Sequence, residues 1–379
     1  MAHRMLLITK SLAQRPSGGR ELLCKVNHDC LEAIYGDRLT VFELPASRTK
    51  TVRSLVGALM GYIDGIDEDI VSGVCKLIRQ DDITKVFVDG SNLGRLTAEV
   101  KRKLPDVYVY TFFHNVEARF FWGALKQRKS PWALAVLIAN YVAERMSVRT
   151  SDNLISLSSR DSKLLKRVYG RSATTVSAIA LWDKLPRNGK AAPRGSPRKY
   201  ILFVGGAFYA NRSGIAWFIR NVVPHIQMKT YVVGRGFEAF RREFERTGKV
   251  EVIGGVDSLA DWYRDAHLII APVFDGSGMK TKVAEALMFG KKIAGTPEAF
   301  SGYEDIVYVA GWKCRTAEDF INVINQTQFT PSPLFDQRLR DIYEKEYSYE
   351  AALLRMSKIV GDDKISVDAD GLYDARRVE

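Results

Sequence analysis

Residues 268–290 read LIIAPVFDGSGMKTKVAEALMFG, and this stretch decides the fold of the second half of the chain. Its first residues, 268–270, form an apolar run that is typical of a buried strand. Residues 276–278 bring two glycines and a serine, which predict a loop. Residues 281–289 then have the pattern of a helix, and Gly290 marks the end of that helix.

The start of this predicted helix suits a phosphate group. A glycine-bearing loop that leads into a helix presents free backbone N–H groups, and the helix dipole adds positive potential there. Lys280 and Lys282 place two cations at the same point. Glu285 lies one helical turn further on, where its carboxylate can accept hydrogen bonds from ribose hydroxyls. The stretch alone predicts either a diphosphate site or an ordinary strand–loop–helix unit with surface lysines.

The length of 379 residues predicts two domains, and a hydrophobic content of 46% supports real cores. No apolar run reaches the roughly 18 residues that a membrane span needs. Residues 1–10 lack the apolar region and cleavage site of a signal peptide. The cysteines have no zinc or disulfide spacing, which predicts reduced thiols in a cytoplasmic protein. They are Cys24, Cys30, Cys75 and Cys314.

The net charge of +12 is unevenly distributed. Residues 101–200 carry 20 basic and 6 acidic side chains, a balance of +14, whereas residues 1–100 are neutral and residues 201–379 are slightly acidic. The whole excess therefore lies in one segment of a hundred residues. Such a segment suits an anionic partner, namely a membrane surface, a lipid-linked phosphate or a nucleic acid, and no nucleic-acid recognition motif accompanies it.

Apolar runs alternate with helical stretches along both halves, which predicts an α/β protein with mostly parallel sheets covered on both faces. The predicted strands are 5–9, 39–44, 85–89, 107–113 and 153–157, then 200–204, 230–233, 250–253, 268–270 and 292–294. Helices are predicted at 316–326 and 335–359. The predicted division is a first domain at 1–185, a Pro-, Gly- and Lys/Arg-rich linker at 186–199, a second domain at 200–334, a C-terminal helix at 335–360 and a disordered tail at 361–379.

Ordered segments of the second half carry a resemblance to a known enzyme family. They are ILFVGGAFYAN (201–211) with GIAWFI (214–219), then VVGRG (232–236), VIGGV (252–256) and LADWY (259–263), then the opening stretch and EAFSGYE (298–304). Together they resemble the donor-binding half of a retaining, nucleotide-sugar-dependent glycosyltransferase of the GT-B fold, similar to glycosyltransferase family 4 (glycosyl transferases group 1). FHNVE (113–117), SDNLISLSSRD (151–161) and Gly18–Gly19 resemble acceptor-domain segments of the same enzymes, so the resemblance spans roughly residues 5–355.

The resemblance implies two doubly wound Rossmann-like domains that face a cleft, with the C-terminal helix packed back on the N-terminal domain. Without a metal or another cofactor, the charge of a departing diphosphate must be met by cations and backbone N–H groups. The residues implied for the diphosphate are Arg235, Lys280 and Lys282, the backbone of Gly278, Met279 and Thr281, and Gly19 of the first loop. Glu285 is implied for the ribose and Val256 for the base. His114 ends a predicted strand and is implied to contact the transferred sugar or to assist at the reacting centre.

One position departs from the family pattern. The family often carries two acidic residues eight positions apart, and the second of them is the ribose glutamate. Ser277 stands eight positions before Glu285, and Asp275 stands ten before it. Either a longer loop lets Asp275 substitute, or this subgroup lacks the first carboxylate. The acid near the transferred sugar, and with it the identity of the sugar, therefore stays open.

Two other features have more than one interpretation. Asp67–Asp69 and Asp368–Asp370 match the acid-x-acid pattern that holds a metal in other glycosyltransferases, but no apolar strand precedes them and we interpret both as solvated.

Residues 119–146 place aromatic and aliphatic side chains beside basic ones. This segment predicts either a helix that lies on an anionic membrane or a core helix pair with a basic connecting loop. Glu117, just before it, has the position of a helix cap.

The sequence thus predicts a glycosyltransferase that moves a sugar from a nucleoside-diphosphate donor to a glycan or lipid-linked acceptor, with retention and without metal. Its expected setting is surface polysaccharide or glycoconjugate synthesis, in the cytoplasm and at the inner face of the membrane. Two alternatives belong to other classes. A GT-B-fold sugar-nucleotide epimerase would need acid/base groups, for which His114 is the clear candidate. A catalytically silent partner that binds nucleotide sugar or glycan would explain the absent first acid.

Overall fold

The computed structural model describes residues 3–10, 12, 18–45, 52–185, 200–329 and 335–361, and all their side chains except those of residues 52–55 and 128. The predicted linker at 186–199 lies outside these residues. So does the predicted tail, apart from Gly361, and with it the acidic pair Asp368–Asp370.

The first half of the chain forms a six-stranded parallel sheet in the order β2-β1-β3-β4-β5-β6. The strands are β1 (Met5–Lys10), β2 (Leu39–Leu44), β3 (Lys85–Val88), β4 (Tyr108–Phe113), β5 (Asn153–Ser156) and β6 (Thr175–Val176). Leu7 pairs with Val41 on one side and Phe87 on the other. Because helices cover both faces of β1, its residues 5–8 are all buried and its sequence is a continuous apolar run.

The second half forms another six-stranded parallel sheet, in the order β12-β11-β10-β7-β8-β9. Its strands are β7 (Tyr200–Val204), β8 (Lys229–Val233), β9 (Val250–Gly254), β10 (Leu268–Ala271), β11 (Ile293–Gly295) and β12 (Gly311–Lys313). The ten predicted strands are present within one or two residues at each end. The two that the sequence did not predict, β6 and β12, are edge strands of two and three residues, which is too short for an apolar pattern.

Helices connect the strands and cover both sheets. Those of the first half are α1 (Gly19–Tyr35), α2 (Val52–Leu59), α3 (Glu68–Gln80), α4 (Gly94–Lys103), α5 (Glu117–Arg128), α6 (Pro131–Thr150) and α7 (Ser159–Tyr169). Those of the second half are α8 (Tyr209–Asn221), α9 (Arg241–Phe244), α10 (Ala260–Asp265), α11 (Thr281–Met288), α12 (Val307–Ala310), α13 (Ala317–Phe329), α14 (Gln337–Ile342) and α15 (Tyr349–Val360). No helix among the described residues is long and apolar enough to cross a membrane.

The C-terminal segment corrects one prediction, because residues 335–359 are not a single helix. A π-helical turn, Tyr343–Tyr347, follows α14, and Ser348 is extended before α15 begins. The Ser348 hydroxyl donates to the Glu344 carbonyl and accepts from the Ala351 N–H, so it ends one helix and caps the next. As predicted, the C-terminal helix α15 returns to the first domain, where Tyr349 stacks on Trp182 and donates a hydrogen bond to a carbonyl of α1.

Each sheet has one point where the strand order reverses, and parallel sheets bind ligands beyond the carboxyl ends of their strands at such points. In the first sheet the reversal lies between β1 and β3. In the second sheet it lies between β7 and β10, so the loop at residues 272–280 leaves the sheet at this position.

Candidate active site

The loop after β10 reaches across to the first domain. Gly278 has a φ of +65°, and a Cβ atom on it would lie only 2.6 Å from the carbonyl oxygen of His114. The Ser277 hydroxyl accepts a hydrogen bond from the Val116 N–H at 3.1 Å and donates one to the Val116 carbonyl at 3.3 Å. A carboxylate cannot donate, which explains physically why serine suits the position where the family pattern has an acid. Asp275 is half-buried near Tyr209.

Lys282 is a buried cation without an ionic partner. Its Nζ donates to Asn211 Oδ1 at 2.9 Å, lies over the Phe203 ring and adjoins Gly205 at the end of β7. No ion pair to Lys282 occurs within the described residues. Burial, with a smaller contribution from the neighbouring Lys280, lowers the pKa of this ammonium to about 7. Such a group is costly for the free protein and is relieved by an anion.

Lys280 belongs to an ionic cluster that bridges the two domains. Its Nζ donates to Glu298 Oε1 at 3.2 Å and to the Gly278 carbonyl at 2.8 Å. From the first domain, Arg119 and Arg160 both donate to Glu298 Oε2, at 3.1 and 2.8 Å. Burial would raise the pKa of Glu298, but Lys280 and the two arginines hold it below its ordinary value. Three cations therefore converge on one carboxylate beside the start of α11.

Glu285 is buried and engaged on both carboxylate oxygens. Tyr263 of α10 donates to one oxygen at 3.0 Å, and Lys184, near the end of the first domain, donates to the other at 3.2 Å. The Tyr263 ring stacks on Phe289 and so holds the phenol in place. A ribose at Glu285 would share or displace these two donors, since each carboxylate oxygen can accept more than one hydrogen bond.

Gly19 and the predicted backbone N–H groups lie around the start of α11. Gly19 is the first residue of α1 and faces Thr281 across the cleft, 3.5 Å from its methyl group if a Cβ atom is placed on it. The N–H groups of Gly278, Met279 and Thr281 make no hydrogen bond within the described residues, as a phosphate cradle requires.

The structure gives less support for the predicted roles of Arg235 and Val256. The backbone of Arg235 adjoins the loop after β7, because its carbonyl accepts from the Ala207 N–H. The Arg235 side chain is exposed and forms no ion pair within the described residues. Val256 is half-buried at the end of β9, where it packs against the core. The diphosphate role of Arg235 and the base contact of Val256 stay predictions.

His114 is held by a residue that the sequence did not reveal as functional. Asp89, at the end of β3, is completely buried, and its Oδ1 lies 2.9 Å from His114 Nε2. Asn27 and Thr9 also donate to this carboxylate, at 2.9 and 3.1 Å. Burial alone would raise the pKa of Asp89, but His114 and the hydrogen bonds keep it below its ordinary value. The sequence feature that could have identified Asp89 is an acidic residue directly after a strand at the point where the strand order reverses.

The comparisons with known proteins agree with this geometry. Residues 198–327 match the family model of glycosyl transferases group 1. A search of curated proteins finds no match to the chain. The chain thus resembles glycosyl transferases group 1 over residues 198–327.

Three solved structures show how far the fold extends. Anabaena HepE in complex with UDP aligns with a TM-score of 0.65 and 12% identity, over 94% of this chain and 99% of its own. The lipopolysaccharide outer core galactosyltransferase WaaB aligns with a TM-score of 0.61 and 11% identity, over 94% and 99%. A glycosyltransferase from Rickettsia africae aligns with a TM-score of 0.65 and 11% identity, over 97% and 100%. The chain thus has both domains of the GT-B fold.

Among the residues that the structure describes, two groups of side chains are close enough to consider as metal sites. Cys24, Asp89 and His114 have their potential ligand atoms within 4.8 Å of one another. The Asp89 oxygens already accept three hydrogen bonds, so the group has the arrangement of an oriented histidine. The second group, His28–Asp29–Glu32, lies on α1 away from the cleft. Asp67 of the acid-x-acid pattern caps α3 by accepting from the Ile70 N–H.

Residues 119–146 form the predicted helix pair, whereas their contact with a membrane stays a prediction. The pair consists of α5 and α6, and Ser130 caps α6, whose first residue is Pro131. The pair is not fully covered, since four of its large apolar side chains are 42–55% exposed. These are Trp122, Trp132, Leu134 and Ile138.

Proposed function

We propose that the enzyme transfers a sugar from a nucleoside diphosphate, with UDP-sugars as the first class to test, to a hydroxyl group of a glycan or lipid-linked acceptor. The single observation that carries the donor assignment is Lys282. It is a buried ammonium without an ionic partner, between Gly205 at the reversal point of the second sheet and the N-terminus of α11. The UDP bound in the Anabaena HepE structure supports a uridine nucleotide.

The chemistry requires that the charge of the departing diphosphate is stabilised. Lys280 and Lys282 supply two cations, and the free N–H groups at the start of α11 supply hydrogen bonds. We propose that these groups carry the charge stabilisation without a metal ion. Gly19, at the start of α1, faces the same point from the first domain. Transfer with retention of configuration is part of the proposal and rests on the family resemblance.

Donor binding is expected to take up a proton at alkaline pH. In the free protein, Lys282 loses its proton near pH 7, whereas a bound diphosphate favours the protonated ammonium. The affinity should therefore be constant below about pH 7 and fall by up to tenfold per pH unit above it. Calorimetry with UDP-glucose in buffers of different ionisation enthalpy measures the uptake. UDP-glucose is preferred to UDP because its diphosphate does not titrate in this range.

The expected result is an uptake of about one proton at pH 8 and of almost none at pH 6. A wild-type protein to which none of UDP-glucose, UDP-galactose and UDP-N-acetylglucosamine binds would refute the donor assignment. Binding without proton uptake at pH 8 would contradict the role of Lys282 while leaving the donor class intact.

The proposed setting is the cytoplasmic face of a membrane, where a lipid-linked acceptor is available. Helix α2 contacts α6, and α2 and the residue after it also expose apolar side chains, namely Val56, Leu59 and Met60. Lys126, Lys129 and Arg145 are also exposed on the helix pair α5 and α6. Apolar side chains next to basic ones suit a surface of anionic lipids, and each basic residue contributes about 1 kcal/mol there.

The double substitution Trp122→Ala and Trp132→Ala is expected to weaken binding to phosphatidylglycerol vesicles at least tenfold, because it removes both exposed indoles. Vesicle sedimentation measures this, with phosphatidylcholine vesicles as the neutral comparison. Phe329→Ala is the matched control, since Phe329 is 82% exposed but lies on α13 of the second domain. Equal sedimentation of the double variant and the wild type would refute membrane contact through this face.

A further inference from the structure

Unpartnered polar atoms are concentrated at one place in the first domain. Among the described residues, His114 Nδ1, Asn115 Oδ1, Arg119 Nε and Arg20 Nε are all buried and form no hydrogen bond. Three of them belong to residues 114–119, which run from the end of β4 into the first turn of α5, and Arg20 lies in the first turn of α1. Buried polar groups in native proteins almost always have partners, so such a group of exceptions indicates a place where a ligand supplies them.

Glu117, in the same segment, also has a free side chain. It is the first residue of α5 and only 6% exposed, and its carboxyl group forms no hydrogen bond or ion pair within the described residues. The sequence assigned it to capping α5, but a different residue performs that role. Glu144 of α6 accepts from the N–H groups of Glu117 and Ala118, at 3.0 and 3.2 Å.

The contrast between the two glutamates is informative. Glu144 is completely buried and also accepts from Ser91 and Tyr169, so the protein itself satisfies its carboxylate. Glu117 is buried next to it without any donor. Folding therefore removes most of the water around the Glu117 side chain and supplies no hydrogen-bond donor to its carboxyl group in exchange, which is unfavourable unless a ligand binds there.

The electrostatic environment of Glu117 comes from four elements. Arg20 of α1 and His114 favour its ionised form, whereas Glu144 of α6 and Asp64, from the segment before α3, disfavour it. Burial is the largest effect and raises the pKa of Glu117 to about 7. The carboxyl group is therefore close to half ionised at neutral pH, and in either form it can exchange hydrogen bonds with a neutral hydroxyl group.

We propose that Glu117, together with Arg20, His114 Nδ1 and Asn115, forms a binding site for the hydroxyl groups of a sugar ring. The inference rests on the proposed function, because it assigns this side of the cleft to the sugar and the start of α11 to the diphosphate. A hydroxyl group both donates and accepts, which matches a carboxyl group beside guanidinium and imidazole nitrogens. A phosphate does not match it, since the Glu117 and Asp64 carboxylates would repel it.

The ring can belong to the transferred sugar or to the acceptor, since both enter the cleft next to the diphosphate. Glu117 is a sugar-binding residue in either case. The segment that carries it also contacts the donor loop, because the His114 carbonyl adjoins Gly278 and Val116 is bonded to Ser277. The site is thus formed where the two domains meet.

The first test measures stability without any ligand. Glu117→Gln is expected to raise the melting temperature of the free protein by a few degrees at pH 8, because it removes a buried charge. The unfolded carboxyl group ionises near pH 4.5 and the folded one near pH 7, so the penalty develops between these values and is complete above pH 7. At pH 5 the two proteins should therefore melt at more similar temperatures.

Glu144→Gln is the matched control and should lower the melting temperature at both pH values, because the backbone donors of α5 lose their acceptor. If Glu117→Gln also lowered the melting temperature at pH 8, the carboxylate would be held by the protein and the inference would be wrong. This test does not depend on the identity of the donor, so its outcome can be separated from that of the donor assignment.

The second test locates the ring. Calorimetry compares UDP with UDP-glucose, UDP-galactose and UDP-N-acetylglucosamine, and saturation-transfer NMR detects free glucose and galactose on the UDP-bound protein. If the ring is the transferred sugar, Glu117→Gln should leave UDP affinity unchanged and weaken UDP-sugar affinity at least tenfold. If it is the acceptor, UDP-sugar affinity should persist and the free-sugar signal should be lost. If Glu117→Gln changed neither the UDP-sugar affinity nor the free-sugar signal, the assignment would be overturned.

Discussion

Replacing Lys282 with methionine is expected to weaken UDP binding by about 100-fold, or roughly 3 kcal/mol. The ammonium is buried between Asn211 and Phe203 and has no ionic partner in the described structure until a diphosphate arrives. Methionine keeps the length of the side chain and removes the charge. The free protein should therefore become more stable while it loses its ligand. Calorimetry with UDP and thermal unfolding without ligand measure the two effects.

Lys291→Met is the matched control for this substitution. Lys291 is also buried, and burial lowers its pKa to about 8, but its ammonium donates to the carbonyls of Arg264 and Ala266 at the end of α10. Its loss should destabilise the protein and leave UDP affinity unchanged. If Lys282→Met destabilised the protein in the same way and kept its affinity, Lys282 would be a structural lysine.

Replacing Asp89 with asparagine is expected to lower the free energy of unfolding by about 3 kcal/mol. It should also lower the rate of UDP release from UDP-sugars by about 100-fold. The carboxylate accepts from His114, Asn27 and Thr9 in a fully buried position. An amide presents two N–H groups toward these donors, so at least one buried donor loses its partner. His114 also loses the group that orients its ring. Urea unfolding and the release of UDP from UDP-sugars measure the two effects.

Asp29→Asn is the corresponding control on α1. Asp29 is also largely buried and accepts from Trp182 and His28, but it lies at the contact with α15 and not at the cleft. Its substitution should reduce stability and preserve turnover by the folded protein. Normal turnover in Asp89→Asn at temperatures where that variant is folded would exclude a positioning role for Asp89.

The ionic cluster around Glu298 gives the two lysines at the start of α11 different roles. Lys282 forms no ion pair with a carboxylate within the described residues. Lys280 is paired with Glu298, which also binds Arg119 and Arg160. A diphosphate must therefore compete with Glu298 for Lys280 and does not compete for Lys282. For this reason we expect Lys282 to contribute more to donor affinity than Lys280. The sequence alone does not rank the two lysines, because it cannot show which of them is paired.

Much of the fold was predictable from local patterns. Strands buried on both faces must be apolar throughout, so β1, β4, β7 and β10 are visible as runs in the sequence. The glycine-bearing loop before α11 identifies a helix start that suits a phosphate, because free N–H groups and the dipole are properties of any helix N-terminus. The resemblance added the GT-B arrangement and the ribose assignment of Glu285.

Local sequence patterns were enough to establish the α/β class and the two domains and to predict a place for the diphosphate, because each depends on residues close together in the chain. Only the tertiary structure decided which polar groups are satisfied. Asp89 reaches His114 from a different strand, and Glu144, 27 residues after Glu117, takes over the capping of α5 and leaves Glu117 free. Pairing and burial depend on contacts between distant segments, and these set the charge state and the availability of each side chain.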